Sequence, residues 1–75
     1  MENLKNNYYL FGSKIAKYRK DKHLTQEELA EKLNVTSQSI SKWENGKCFP
    51  RLKIIIKICD ELEINYNDFF RLLFE

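Results

Sequence analysis

The amino-acid sequence predicts an all-α protein, a compact domain of five helices. Apolar residues recur at spacings of three and four along most of the chain, as they do on one face of a helix. No segment sustains the period-two alternation of a half-buried strand. Short connections separate five such segments, which is typical of helices packed together in one unit. A length of 75 residues leaves room for one domain.

The first helix follows an Asn-rich stretch. We expect residues 1–9 to form a flexible N-terminal arm and residues 10–75 to form the domain. Phe11, Ile15 and Tyr18 recur at i, i+4 and i+7, which predicts a helix of roughly ten residues ending near Lys22.

The second helix begins with a capping box, in which the Thr25 hydroxyl accepts an amide hydrogen bond and Glu28 reaches back. Asn34 ends this helix, because asparagine tolerates the left-handed conformation. The third helix starts at a Thr36 cap, runs to about Glu44 and stops at Asn45-Gly46. The turn between the two helices is too short for antiparallel packing, so residues 25–45 are predicted to form a helix-turn-helix.

Pro50 starts a fourth helix, and Asn65 caps a fifth. The predicted core face of the fourth helix holds Leu52, Ile55, Cys59 and Leu62. Several apolar residues exceed what such a small core needs, and a homodimer interface or the N-terminal arm would cover them. The candidates for that interface are Ile54, Ile58, Phe70, Leu73 and Phe74.

The third helix has an outward face suited to DNA. Ile40 and Trp43 lie on its inner side, whereas Ser37, Gln38, Ser41, Lys42 and Asn45 share the opposite side, which has no acidic residue. Amide, hydroxyl and ammonium groups are the groups that read base edges in a major groove. A merely solvated helix surface is the alternative reading of the same pattern.

Composition narrows the functional classes. Two cysteines and one histidine make neither a disulfide framework nor a zinc site, and we expect no metal, no cofactor and no catalytic residues. No apolar run is long enough to span a bilayer, so a cytoplasmic protein is expected. Residues 1–53 hold eleven Lys and Arg against six Asp and Glu, and residues 54–75 hold two against five. A polyanion would therefore be attracted to the first part of the chain.

Two runs in this region carry a family resemblance: Leu-Thr-Gln-Glu-Glu-Leu-Ala (24–30) and Ser-Ile-Ser-Lys-Trp-Glu-Asn-Gly-Lys (39–47). The chain from Ile15 through Phe70 resembles the Cro and lambda-repressor-like (Xre-type) helix-turn-helix family. That resemblance implies a lambda-repressor-like fold and a bacterial or phage regulator that docks the helix Thr36–Glu44 in the major groove. It implies base contacts by Ser37, Gln38 and Lys42, to which the outward face adds Ser41. Backbone contacts are implied for Gln26, Thr36, Asn45 and Lys47, and the sequence adds Arg51.

The resemblance also implies a structural ion pair between Arg19 and Glu44. The chain departs from the family pattern at His23, Asn34 and Glu63, where glycine is common. His and Asn are enriched at positive φ, so a rearranged or strained helix end is expected only at Glu63.

The sequence therefore favours a sequence-specific transcriptional regulator, a repressor without a ligand-sensing domain, bound as a homodimer to a palindromic double-stranded operator. The alternative is an interaction module, such as an antitoxin, that binds a protein partner through its C-terminal helices.

Overall fold

Five helices make up most of the chain in the computed structural model, which describes residues 4–74 and the side chains of residues 7–71. They are α1 (Leu4–Asp21), α2 (Gln26–Leu33), α3 (Ser37–Glu44), α4 (Leu52–Leu62) and α5 (Tyr66–Phe74). No strand occurs among residues 4–74, and the predicted all-α class is confirmed. α3 packs against α1 and α2, and α5 packs against α1.

The first helix begins earlier than the sequence predicts. Residues 4–9, expected to belong to a flexible arm, form the first turns of α1, which is 18 residues long. The reason is a tertiary contact that helical periodicity does not reveal: the ring of Tyr8 stacks on Phe49, with a centroid distance of 4.7 Å. The remainder of the expected arm, residues 1–3, lies outside the described residues.

Four helices end in the left-handed conformation. His23, Asn34, Gly46 and Glu63 have φ angles of 61°, 60°, 71° and 57°. In each case the amide of the next residue donates back to a carbonyl five residues earlier, as from Val35 N to Ala30 O at 3.0 Å. This is the Schellman arrangement, which glycine normally serves. The Glu63 end is not rearranged, so a non-glycine side chain is held there in a strained backbone conformation.

The core contains residues from all five helices. Phe11, Ile15, Leu29, Leu33, Ile40, Leu62 and Phe69 are each at most 1% exposed. Two predictions for α4 were wrong. Ile58, expected at a dimer interface, is fully buried, and Leu52, expected in the core, is 61% exposed. Ile58 lies three residues after Ile55 and four before Leu62, so it shares their buried face. Leu52 opens the helix, and its Cβ is tilted toward the N-terminal end, away from the core.

Two glycines allow α1 to approach α3 closely. A Cβ at Gly12 would overlap the carbonyl oxygen of Trp43, and a Cβ at Gly46 would lie 2.8 Å from the Cα of Tyr9. The backbone of α1 therefore lies directly against the C-terminal end of α3, and the orientation of α3 depends on this contact.

Candidate nucleic-acid interface

The start of α2 is organised by its capping box. The Glu28 amide donates to Thr25 Oγ1 at 3.0 Å, and the Thr25 amide donates to Glu28 Oε1 at 2.8 Å. The amides of Gln26 and Glu27, also in the first turn, have no intrahelical acceptor and are suited to a phosphate oxygen. The negative charges of Glu27 and Glu28 repel a phosphate from the same helix end. The attraction of an anion to this end therefore depends on cations from other elements.

The entry to α3 is fixed by a second cap. Thr36 Oγ1 accepts the Ser39 amide at 3.1 Å and donates to Ser39 Oγ, also at 3.1 Å. The Thr36 hydroxyl, expected at the DNA backbone, is thus occupied within the cap. The adjacent Ser39 hydroxyl is free to donate, because its hydrogen has no acceptor among residues 7–71. Spacing alone did not identify Ser39, because it lies between the inner and outer faces of α3.

The outward face of α3 has the predicted composition. Gln38 and Lys42 are exposed, and Ser37 and Ser41 are partly exposed. The side chains of Gln38 and Lys42 have no hydrogen-bond or ion-pair partner among the residues that the structure describes. On the opposite side, Ile40 is fully buried and Trp43 is 8% exposed. The helix is therefore anchored on one side while its two longest polar side chains remain unengaged on the other.

Asn45 lies at the C-terminal end of this face. Its Nδ2 donates to Ser41 O at 2.9 Å and to Ser41 Oγ at 3.3 Å. These bonds orient the amide so that Oδ1 and one N–H remain for other contacts. Lys47 and Arg51 follow in the exposed connection to α4, and the Lys47 amide bonds to Lys42 O at 2.9 Å.

A charged network joins the three helices that make up this site. Arg19 Nε lies 2.7 Å from Glu44 Oε2, and Arg19 Nη2 lies 3.1 Å from Glu44 Oε1. The third nitrogen of the guanidinium donates to the Leu24 carbonyl at 2.7 Å. The side chains of Arg19 and Glu44 are only 10% and 7% exposed. Since a bidentate pair has one geometry, it fixes the end of α3 relative to α1.

Gln26 belongs to the same network. Its Nε2 donates to Glu44 Oε1 at 2.8 Å, which ties the first residue of α2 to the last residue of α3. The carboxylate therefore uses one of the two amide hydrogens of Gln26. The other hydrogen remains for a phosphate, so the network orients Gln26 for the backbone contact predicted for it.

A groove of about 490 Å³ opens beside this network, between α1 and the facing ends of α2 and α3. Lys17 and Lys20 of α1 line it together with Gln26 and Asn45. Lys17 makes an exposed ion pair with Asp21 at 3.2 Å, whereas Lys20 has no such partner among the described side chains. Both lysines can meet a phosphate. The sequence placed them on the first helix, but only the packing shows that this side of α1 adjoins the helix-turn-helix.

The predicted dimer residues do not form one exposed surface. Ile58 is in the core, and Ile54 and Phe70 are partly buried against it. The side chains of Leu73 and Phe74 lie outside the described ones. Among the described side chains of the C-terminal part, the exposed large apolar ones are instead Leu52, Ile56 and Tyr66.

The ionisable groups away from the groove have clear physical causes for their shifts. Burial raises the pKa of the Cys59 thiol to about 11, with a smaller contribution from Asp60. The hydrogen bond from Tyr66 to Asp60, 2.9 Å long, raises the pKa of Tyr66. Lys22 hydrogen-bonds to Glu63 at 2.5 Å and lowers the pKa of that carboxyl. Residues 4–74 contain no helix both long and apolar enough to cross a membrane.

Comparison with known proteins places this geometry in a family. A family model described as helix-turn-helix matches residues 15–69. An uncharacterised helix-turn-helix transcriptional regulator of Methanocaldococcus jannaschii is 41% identical over 58 residues, which are 77% of this chain and 88% of that protein. The transcriptional activator BcrR of Enterococcus faecalis is 49% identical over 43 residues, 57% of this chain but 21% of the activator.

Two further comparisons agree. The phage CTXphi transcriptional repressor RstR of Vibrio cholerae is 31% identical over 55 residues, 73% of this chain and 49% of the repressor. The crystal structure of the clp gene regulator ClgR from C. glutamicum has a TM-score of 0.78 at 23% identity, and the likeness covers 97% of this chain and 91% of that one. At that identity the likeness concerns the fold.

Proposed function

Because the chain belongs to the helix-turn-helix family, we propose that it is a sequence-specific, double-stranded DNA-binding regulator that represses transcription by occupying its operator. The observation that carries the proposal is the outward face of α3, where Gln38 and Lys42 are exposed and unengaged on a helix anchored by Ile40 and Trp43. The relatives named as transcriptional regulators support the same function and do not favour a protein-interaction module.

Base recognition is assigned to α3. Gln38 offers a donor and an acceptor that match the N6 and N7 atoms of adenine, and Lys42 matches the acceptors of guanine. Ser37 and Ser41, beside them, read either kind of group. A side-chain amide at position 38 thus gives preference for one base pair, whereas the hydroxyl groups refine the neighbouring positions.

Backbone binding is assigned to the ends of α2 and α3 and to the groove beside them. Gln26 and Asn45 donate amide hydrogens, and Lys20, Lys47 and Arg51 supply charge for counterion release. The Glu44 carboxylate lies in the same groove but is already neutralised by Arg19, so it does not repel a phosphate strongly. Affinity is then expected to fall steeply as the salt concentration rises, whereas base preference is expected to stay the same.

We also propose that the regulator binds as a homodimer to a palindromic operator. Reading helices about 34 Å apart would enter successive major grooves, one turn of DNA apart. Leu52 and Ile56 support this, because they are 61% and 42% exposed and lie one turn apart on α4. In sedimentation experiments, Ile56→Asp is expected to be a monomer where the wild-type protein is a dimer. The neighbouring substitution Lys57→Gln is expected to leave the dimer unchanged.

The test of base recognition is Gln38→Ala, assayed on a library of randomised duplexes. Loss of the amide should relax preference at one base pair per half-site and weaken operator binding by about 1–3 kcal/mol. Asn67→Ala is the control, since this exposed side chain lies on α5. If the Gln38 variant kept the wild-type preference at every position, the assignment of α3 as the reading helix would be wrong.

A further inference from the structure

We infer that the segment Asn7–Leu10 of α1, here called the brace, holds the loop Asn45–Arg51 in the conformation that binds DNA, with Tyr8 as its positioning residue. The inference rests on the proposed function, because its consequence is read in DNA binding. The brace lies before residue 15, where the family match begins.

An aromatic contact joins the brace to the loop. The rings of Tyr8 and Phe49 are stacked, with centroids 4.7 Å apart and planes at 20°. Phe49 also meets Phe11 at 4.7 Å, and Phe11 meets Phe69 of α5 at 4.1 Å. A row of four aromatic rings therefore connects the brace, the loop and the core, and Tyr8 covers the end of Phe49 away from the core.

A backbone contact joins the brace to the other end of the loop. Gly46 has φ 71° and faces the backbone of Tyr9 so closely that a Cβ would lie 2.8 Å from its Cα. The brace thus touches the loop at Gly46 through its backbone and at Phe49 through a ring. Lys47 and Cys48, between these two points, are exposed, and the Lys47 amide bonds to Lys42 O of α3.

The loop carries part of the proposed interface. Asn45, Lys47 and Arg51 supply the proposed backbone contacts at this end of the interface, and Gly46 and Phe49 lie between them. Without the Tyr8 ring, Phe49 would keep only its contact with Phe11, and the freedom that the loop gained would have to be lost again when DNA binds, which weakens association. Tyr8 itself points at Phe49 rather than at the groove, so its influence on DNA passes through the loop.

The test compares Tyr8→Ala and Tyr8→Phe with the wild-type protein on the operator that the wild-type protein selects. Measurements are made at a temperature at which circular dichroism shows every variant fully folded. Tyr8→Ala should bind about five- to tenfold more weakly, which corresponds to ordering roughly one additional residue on binding. Its base preference should be unchanged. Tyr8→Phe keeps the stacked ring and should bind like the wild-type protein. Asn67→Ala, which shortens an exposed side chain of α5, is the control.

A double-mutant comparison and a DNA-free measurement separate positioning from a general structural role. In a Lys47→Gln, Arg51→Gln background, Tyr8→Ala should cause little further loss of affinity, because the contacts it positions are gone. Without DNA, amide exchange at Lys47–Phe49 should accelerate in Tyr8→Ala but not in Tyr8→Phe.

Three results would overturn the inference: equal loss in Tyr8→Phe, which would indicate direct contact by the hydroxyl; additive losses in the combined variant; or unchanged loop exchange. Failure of the proposed function is distinguishable, because the wild-type protein would then select no operator while the exchange result would still stand.

Discussion

Removal of the Glu44 carboxylate is the most informative perturbation of stability. In Glu44→Ala, Arg19 would keep only the Leu24 carbonyl as an acceptor, and Gln26 would lose its acceptor as well. With its side chain 10% exposed, the guanidinium would remain charged in a largely dry site. Breaking a buried pair in this way destabilises by roughly 3–5 kcal/mol.

That magnitude is large for this chain. Stability of roughly 0.05–0.15 kcal/mol per residue corresponds to about 4–11 kcal/mol for a protein of this size. Urea unfolding followed by circular dichroism at 222 nm should therefore show Glu44→Ala either strongly shifted or partly unfolded without denaturant. The double variant Arg19→Met, Glu44→Leu leaves no buried charge and should recover much of the loss.

The control is the exposed pair Lys17–Asp21, whose side chains are 64% and 58% exposed. Asp21→Ala should change the unfolding free energy by less than about 1 kcal/mol. The reasoning about the buried network would be refuted if Glu44→Ala were as mild as Asp21→Ala.

The other predictions concern a helix end, the two thiols and the groove. Glu63→Gly should raise the Tm by about 4 °C, because relief of left-handed strain outweighs both the greater freedom of glycine in the unfolded chain and the loss of the exposed ion pair with Lys22. The lowered pKa of Glu63 stabilises the fold above the carboxyl's unfolded pKa, and thermal melts should show that contribution lost as pH falls through the lowered value. Native protein should react rapidly with a thiol reagent at exposed Cys48 and slowly at Cys59, where burial raises the pKa to about 11. Lys20→Gln should reduce the slope of log affinity against log salt by about 1 without altering base preference, whereas Lys57→Gln should not.

Each of these predictions has a result that would contradict it, and two of them have a matched control variant. Glu61→Gly, in the interior of the last turns of α4, should lower the Tm, so the account of Glu63 is wrong if both glycines act alike. Cys48→Ser should remove the rapid thiol reaction, and a rapid reaction that persists would place Cys59 in contact with solvent. An unchanged salt slope in Lys20→Gln would remove α1 from the interface.

Much of the fold follows from local signals. The caps at Thr25 and Thr36 were predicted from residue type, because these side chains bond to the backbone within a few residues. The left-handed end at Asn34 was predicted because asparagine tolerates that conformation, and the one at His23 from the family resemblance together with the same tolerance of histidine. The start of α1 was not, since the Tyr8–Phe49 contact joins positions distant in sequence.

The errors in α4 have a related cause. Its four isoleucines make nearly every rotation of the helix look apolar, so periodicity alone does not select the buried side. Packing places Ile58 inside and leaves Leu52 and Ile56 exposed.

For the interface, the composition of the α3 face was readable because its polar residues share one side of a helix. The position of Lys17 and Lys20 beside the helix-turn-helix depends on the close approach of α1 at Gly12, a tertiary contact that no local pattern encodes. The Thr36 hydroxyl is bonded within its own cap, which leaves the Ser39 hydroxyl as the neighbouring donor. That exchange of roles likewise depends on side-chain geometry, which the sequence does not show.

The central claim is tested most directly by selecting duplexes from a randomised library with purified wild-type protein at two salt concentrations. The account predicts enrichment of a palindrome with half-sites one helical turn apart, and affinity that falls steeply as salt increases. Binding without enrichment of any sequence, or affinity independent of salt, would contradict it.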